Sequence, residues 1–149
     1  MQYTRFLVLG DSFSEGMSDE IIDGKYRGWA DRVADVLAAQ TPGFMYANFA
    51  IRGKLVHQVL EDQVPQVLPL IQGPQTLVSF HAGANDALRP NYNHSAVRTA
   101  YVRAVTKLVE SGATVMLFTV LEKNGNDRTA SLVLWISRKN YATMHKPSK

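Results

Sequence analysis

Four short apolar runs, each too dense to alternate between two faces, constrain this chain more than any other feature. They fall at residues 6–9, 45–50, 76–80 and 113–119. Runs of this kind fit strands buried on both faces of a parallel sheet. Helical patterns separate them. Trp29, Ala30, Val33, Ala34, Val36 and Leu37 recur at helical spacing, and Thr41-Pro42-Gly43 stops that pattern. Leu55, Val56, Val59, Leu60, Val64, Val67 and Leu68 make a second helical stretch, interrupted by Pro65 and Pro69. A third spans about 95–111, with Val97, Ala100, Tyr101, Ala104, Val105, Leu108 and Val109 on one face and Gly112 at its end. Strand and helix alternating in this way imply βαβ crossovers. The expectation is an α/β protein: a three-layer α/β/α sandwich on a flavodoxin-like parallel sheet, with the four strands in the order 2-1-3-4.

In such a sheet the loops after strands one, two and three reach the same carboxyl edge, where open α/β sheets place their ligands. Those loops are Gly10-Asp11-Ser12, Asn48 through Gly53, and Gly83-Ala84-Asn85-Asp86. Taken alone, Ser12 reads equally as the cap of a following helix or as a nucleophile. Together the loops hold what acyl transfer requires. The Ser12 hydroxyl can attack, while the backbone N–H groups of Ser12 and Gly53 and the Asn85 amide can converge on a developing oxyanion. A Gly allows close approach of a substrate oxygen to the backbone, and an Asn offers a donor without ionising. A phosphate cradle is the weaker reading of the Ser12 loop, because it has no Lys and both Asp11 and Glu15 repel an anion.

These blocks resemble the SGNH hydrolases, also called GDSL-type esterases and lipases. The first appears as Gly10-Asp11-Ser12-Phe13-Ser14-Glu15-Gly16, the second as Asn48 with Gly53, and the third as Gly83-Ala84-Asn85-Asp86. Residues 27–32 (Arg-Gly-Trp-Ala-Asp-Arg) resemble the first helix of bacterial members, and the likeness covers roughly residues 3–119. It implies a serine ester hydrolase acting on a small-molecule carboxylic ester. Ser12 is then the nucleophile, Ser12, Gly53 and Asn85 form the oxyanion hole, and Asp11 and Asp86 are binding residues. No cofactor or metal is expected. The runner-up is a catalytically silent module that binds acyl or acetyl groups.

The family's last block, Asp-x-x-His, is missing. Three residues before His145 stands Ala142, and three after Asp127 stands Ala130. Without a base a Ser hydroxyl is a poor nucleophile, since such help contributes about 10²–10⁴-fold. Impaired activity is therefore expected. Of the substitutes, His81 lies nearest the right edge but reads as a packed or hydrogen-bonded strand-end residue. His57 reads as a surface group and His94 as part of a cap or turn. His145 serves only if the tail folds back.

Charge breaks at the same point. Residues 1–119 carry 10 Lys+Arg against 11 Asp+Glu, whereas residues 120–149 carry 6 against 2. The basic balance thus belongs to the end of the chain. We expect a hydrolase-like domain over 1–119 and a divergent basic tail over 120–149, as a frameshift or read-through would leave, so the fold is C-terminally incomplete. An exposed sheet edge beside the fourth strand is a consequence, with homo-oligomerisation through it. The tail has no aromatic stacking platform, so nucleic acid is not expected as a partner. No run approaches the roughly 20 apolar residues of a membrane span. The absence of Cys excludes disulfides and thiolate catalysis and fits a cytoplasmic location.

Overall fold

The structure is a computed structural model that describes residues 2–119 and 132–136. Strand β1 (Arg5–Gly10) sits inside a five-stranded sheet. It pairs in parallel with β4 (Met45–Asn48) on one side and β5 (Thr76–His81) on the other. Beyond β5 lies β6 (Thr114–Thr119), also parallel. The expected order 2-1-3-4 is thus β4-β1-β5-β6. Residues 5–10 line up with 76–81 one for one, so Gly10 stands opposite His81. That register puts the ends of β1 and β5 level, and the loops that follow them emerge side by side.

The apolar runs are explained by what covers each face. Leu7, Leu9, Val78, Phe80, Val115 and Leu117 pack with Val59, Val64 and Val67 from the segment at 56–67 and with Ala104, Val105 and Leu108. The last three belong to α6 (His94–Glu110), whose N-terminus is capped by Asn93 accepting from the Ala96 N–H at 3.0 Å. Burial pushes the Tyr101 phenol on this helix up to about 12. Phe6, Val8, Leu77 and Met116 face the other way, against Ala30 and Ala34 of α2 (Trp29–Gln40). The interiors of β1, β5 and β6 are almost wholly apolar because neither face meets water; the exception inside β5, Ser79, is itself buried.

Three features depart from the expected outline. The polar stretch before α2 contains a small hairpin, β2 (Ile21–Ile22) with β3 (Lys25–Tyr26). The segment at 56–67 contains two short α-helices, α3 (Val56–Gln58) and α4 (Val64–Val67), joined by a π-turn at Val59–Gln63. The wider turn ends beside Pro65, which has no N–H to continue an α-helical ladder. Finally, the edge of β6 is not bare. Strand β7 (Leu132–Ile136) pairs with it antiparallel, from Val115 opposite Ile136 to Thr119 opposite Leu132. The exposed edge expected beside the fourth strand is corrected accordingly: its ladder groups are matched, and the sheet's outer edges are β4 and β7. Among the described residues no helix is long and apolar enough to cross a membrane.

Candidate active site

Gly10 ends β1 at φ +149, with its α-carbon against the neighbouring strand; a Cβ there would lie 2.3 Å from the His81 carbonyl oxygen. Glycine is therefore required for β1 to turn at this point. Past the end of β4 the Gly10 carbonyl still accepts from the Ile51 N–H at 3.2 Å. Gln63, fully buried in the π-turn, donates to the same carbonyl and accepts from the Gly10 N–H, each at 2.9 Å. Its amide satisfies the Gly10 N–H and gives the carbonyl a second donor.

The chain then enters α1 (Ser12–Glu15). The residue that caps this helix is Asp11, whose Oδ1 accepts from the Phe13 N–H at 3.1 Å. The cap reading of Ser12 is thus corrected: Ser12 is the first helical residue, half-buried at the sheet edge. No hydrogen bond to its hydroxyl from any side chain occurs among the described residues. His57 and His94 are exposed on helices. Asp127 and His145 lie outside the described residues.

The other two blocks are fastened to this turn by a closed circuit of hydrogen bonds. Glu15 accepts from the Arg52 backbone N–H at 2.9 Å and takes a forked pair from its guanidinium. Arg52 also lies over the Tyr26 ring, 5.2 Å from its centre. Next comes Gly53, exposed and at φ +75, a conformation that disfavours any side chain although nothing lies within 4 Å of where one would sit. The carbonyl of the following residue, Lys54, accepts from Asn85 Nδ2 at 3.1 Å, and the same nitrogen lies 3.4 Å from Asp11 Oδ2. The path from α1 through residues 52–54 to α5 (Ala84–Ala87) therefore returns to the Ser12 turn. Ser12, Gly53 and Asn85 are each held by an anchored neighbour or by their own side chain.

Two further ties complete the frame. Asn48 donates to the Ser14 carbonyl at 2.8 Å and accepts from the Ala50 N–H at 3.0 Å, fixing the chain as it leaves β4. Asp86 Oδ2 accepts from the Val56 N–H at 3.0 Å. Asp11 and Asp86 are both buried and occupied with backbone donors. Sequence reasoning gave Gln63 and Arg52 no part in the site, and it named Glu15 only as a residue that repels an anion. Only Gln63 carried a signal, as a polar residue among Val59, Leu60, Val64 and Val67 at helical spacing.

The wall beside the Ser12 turn is aromatic. Phe13 packs on Trp29 at 5.9 Å, His81 at 4.6 Å and Phe118 at 5.7 Å between ring centres. Trp29 Nε1 donates to the Phe13 carbonyl at 3.1 Å, so α2 reaches the site directly. His81 is mostly buried here, as the packed strand-end reading expected, with Nδ1 3.6 Å from Asp11 Oδ1 and no hydrogen-bond partner.

A sheet that delivers a Gly-Asp-Ser turn, a Gly loop and a Gly-x-Asn-Asp turn to one edge has the frame of the SGNH hydrolases. The GDSL-like lipase/acylhydrolase family profile matches residues 8–145, and the chain belongs to that family. Among solved structures it is similar to TesA, at 26% identity and a TM-score of 0.64, over 80% of this chain and 63% of that one. It also resembles AlinE4, described as an SGNH-hydrolase family esterase, at 17% identity and a TM-score of 0.63, over 85% of this chain and 65% of that one. The psychrotrophic esterase EstA from Pseudoalteromonas sp. shares 23% identity and a TM-score of 0.59, over 76% and 58%. The chain thus spans at most 65% of the length of these proteins. No curated protein matches the sequence.

Proposed function

We propose that the chain is an ester hydrolase of low activity in which Ser12 attacks the acyl carbonyl of a small carboxylic ester. The Ser12 oxygen bonds to the acyl carbon, and its proton passes to solvent. The carbonyl oxygen becomes an oxyanion that the N–H groups of Ser12, Gly53 and Asn85 receive. The alcohol leaves with a proton, and water then releases the acid from Ser12. The observation that carries this reading is the closed circuit joining Glu15, Arg52, Lys54, Asn85 and Asp11, which keeps the three donors as one unit. Low activity follows from the absent Asp-x-x-His, because losing a triad member leaves only the rate due to binding and the oxyanion hole.

The Ser12 hydroxyl, which meets no side-chain partner among the described residues, favours a second reading, in which the chain binds acyl groups without turning them over. Hydrolysis of a short-chain nitrophenyl ester by wild type and Ser12→Ala separates the two. A slow rate that Ser12→Ala abolishes is expected; equal rates in both proteins would remove the hydrolase reading. We further infer that residues 1–119 form the hydrolase-like domain and 120–149 a divergent tail. Translating the downstream DNA in the two other frames tests this, and finding no Asp-x-x-His in either would count against it.

A further inference from the structure

We propose that His81 is a positioning residue for the oxyanion donor Asn85, acting through the carboxylate of Asp11 that both side chains face. Three donors converge on that one buried carboxylate. Oδ1 takes the Phe13 N–H at 3.1 Å and lies 3.6 Å from His81 Nδ1, while Oδ2 lies 3.4 Å from Asn85 Nδ2. The first is an ordinary hydrogen bond; the other two sit at or just beyond the limit. A buried Nδ1 without a partner is unfavourable, and Asp11 Oδ1 is an acceptor that faces it at 3.6 Å. A proton on Nδ1 closes that gap and completes the carboxylate's set of donors.

The ring has little freedom to do anything else. Phe13 lies against it at 4.6 Å and Phe118 at 5.5 Å, and among the described residues the charged group paired with it is Asp11. The strand register fixes its backbone opposite Gly10, where the turn into Ser12 begins. His81 therefore orients Asp11 from below while Asp11 caps α1 and reaches Asn85. One hydrogen of Asn85 Nδ2 is held by the Lys54 carbonyl at 3.1 Å. The other meets Asp11 only at 3.4 Å and is the one an oxyanion can take, so a shift of the carboxylate redirects it. Deleting an oxyanion donor lowers rates by about 10²–10³-fold. Loosening one by displacing its support has a smaller effect, of about tenfold.

The catalytic consequence rests on the proposed function, but the coupling of His81 to Asn85 does not. The test compares His81→Leu and His81→Gln, which place no donor beside Asp11, with His81→Asn, whose amide falls near the position of Nδ1. Two quantities are read: the rate of Ser12 labelling by a fluorophosphonate, and the NMR signals of the Asn85 side-chain amide. His81→Leu and His81→Gln are expected to label about tenfold more slowly and to shift the Asn85 signals. His81→Asn is expected to return to within about threefold of wild type, which a lost proton acceptor would not allow. Labelling of His81→Gln at the wild-type rate, or of His81→Asn as slowly as His81→Leu, would overturn the inference. If wild type takes no label, the hydrolase reading fails separately and unshifted Asn85 signals alone refute the coupling. If His81→Leu does not fold, the comparison of Gln with Asn decides.

Discussion

At the scale of single residues, the second block illustrates how a side chain outside the motifs sets the motif's geometry. Gly53 is exposed, and nothing lies within 4 Å of where its side chain would sit, so no side-chain packing sets its place. Its position comes from Arg52, whose N–H and guanidinium are both received by Glu15. A guanidinium matches a carboxylate with two parallel bonds, and an ammonium does not. Arg52→Lys is therefore expected to slow Ser12 labelling severalfold while leaving the melting temperature nearly unchanged, since the pair is solvated. A large loss of stability with no change in labelling would show that the pair supports the fold and not the site. The motif residues Gly10, Ser12, Gly53 and Asn85 were legible in the sequence because their chemistry is distinctive. Glu15 and Arg52 were not, because a charge pair 37 residues apart leaves no local pattern.

At the scale of elements, one contact decides how the Ser12 helix meets α2. Gly16 and Gly28 cross backbone to backbone: a Cβ on Gly28 would lie 2.5 Å from the Gly16 α-carbon. Gly28 itself has φ −84, which any residue adopts, so its requirement is for space alone. Gly28→Ala must separate α1 from α2 and is expected to destabilise by about 1–3 kcal/mol. Urea unfolding of Gly28→Ala beside wild type measures this cost. A Gly28→Ala midpoint at or above wild type would contradict this packing. The hairpin between them is held by exposed ion pairs, with Arg27 on Glu20 and Asp35 and Arg32 on Glu20. Its two apolar residues, Ile21 and Ile22, are both exposed, so no buried periodicity announced it. The buried strands and α6 were readable because their burial on one or both faces writes a period into the sequence.

At the scale of the whole molecule, the sheet is closed off on the β6 side by an antiparallel strand, β7. Pairing of β7 along β6 covers N–H and C=O groups that would otherwise template association with another chain. Removing residues 120–149 is expected to lower the melting temperature and to produce concentration-dependent association in size-exclusion chromatography. An unchanged monomer would show that this pairing contributes nothing. The run 132–136 was ambiguous between strand and helix in the sequence because five apolar residues fit either, and only the open edge of β6 selects the strand. The three blocks at the sheet's carboxyl edge remain the centre of the molecule, and their meaning turns on whether Ser12 reacts. Intact-mass measurement after exposure to a fluorophosphonate, followed by peptide mapping, asks the question directly. Slow addition of one phosphonyl group, mapped to Ser12 and absent in Ser12→Ala, is the expected result. No addition at high protein concentration, or addition elsewhere, would contradict Ser12 as the nucleophile.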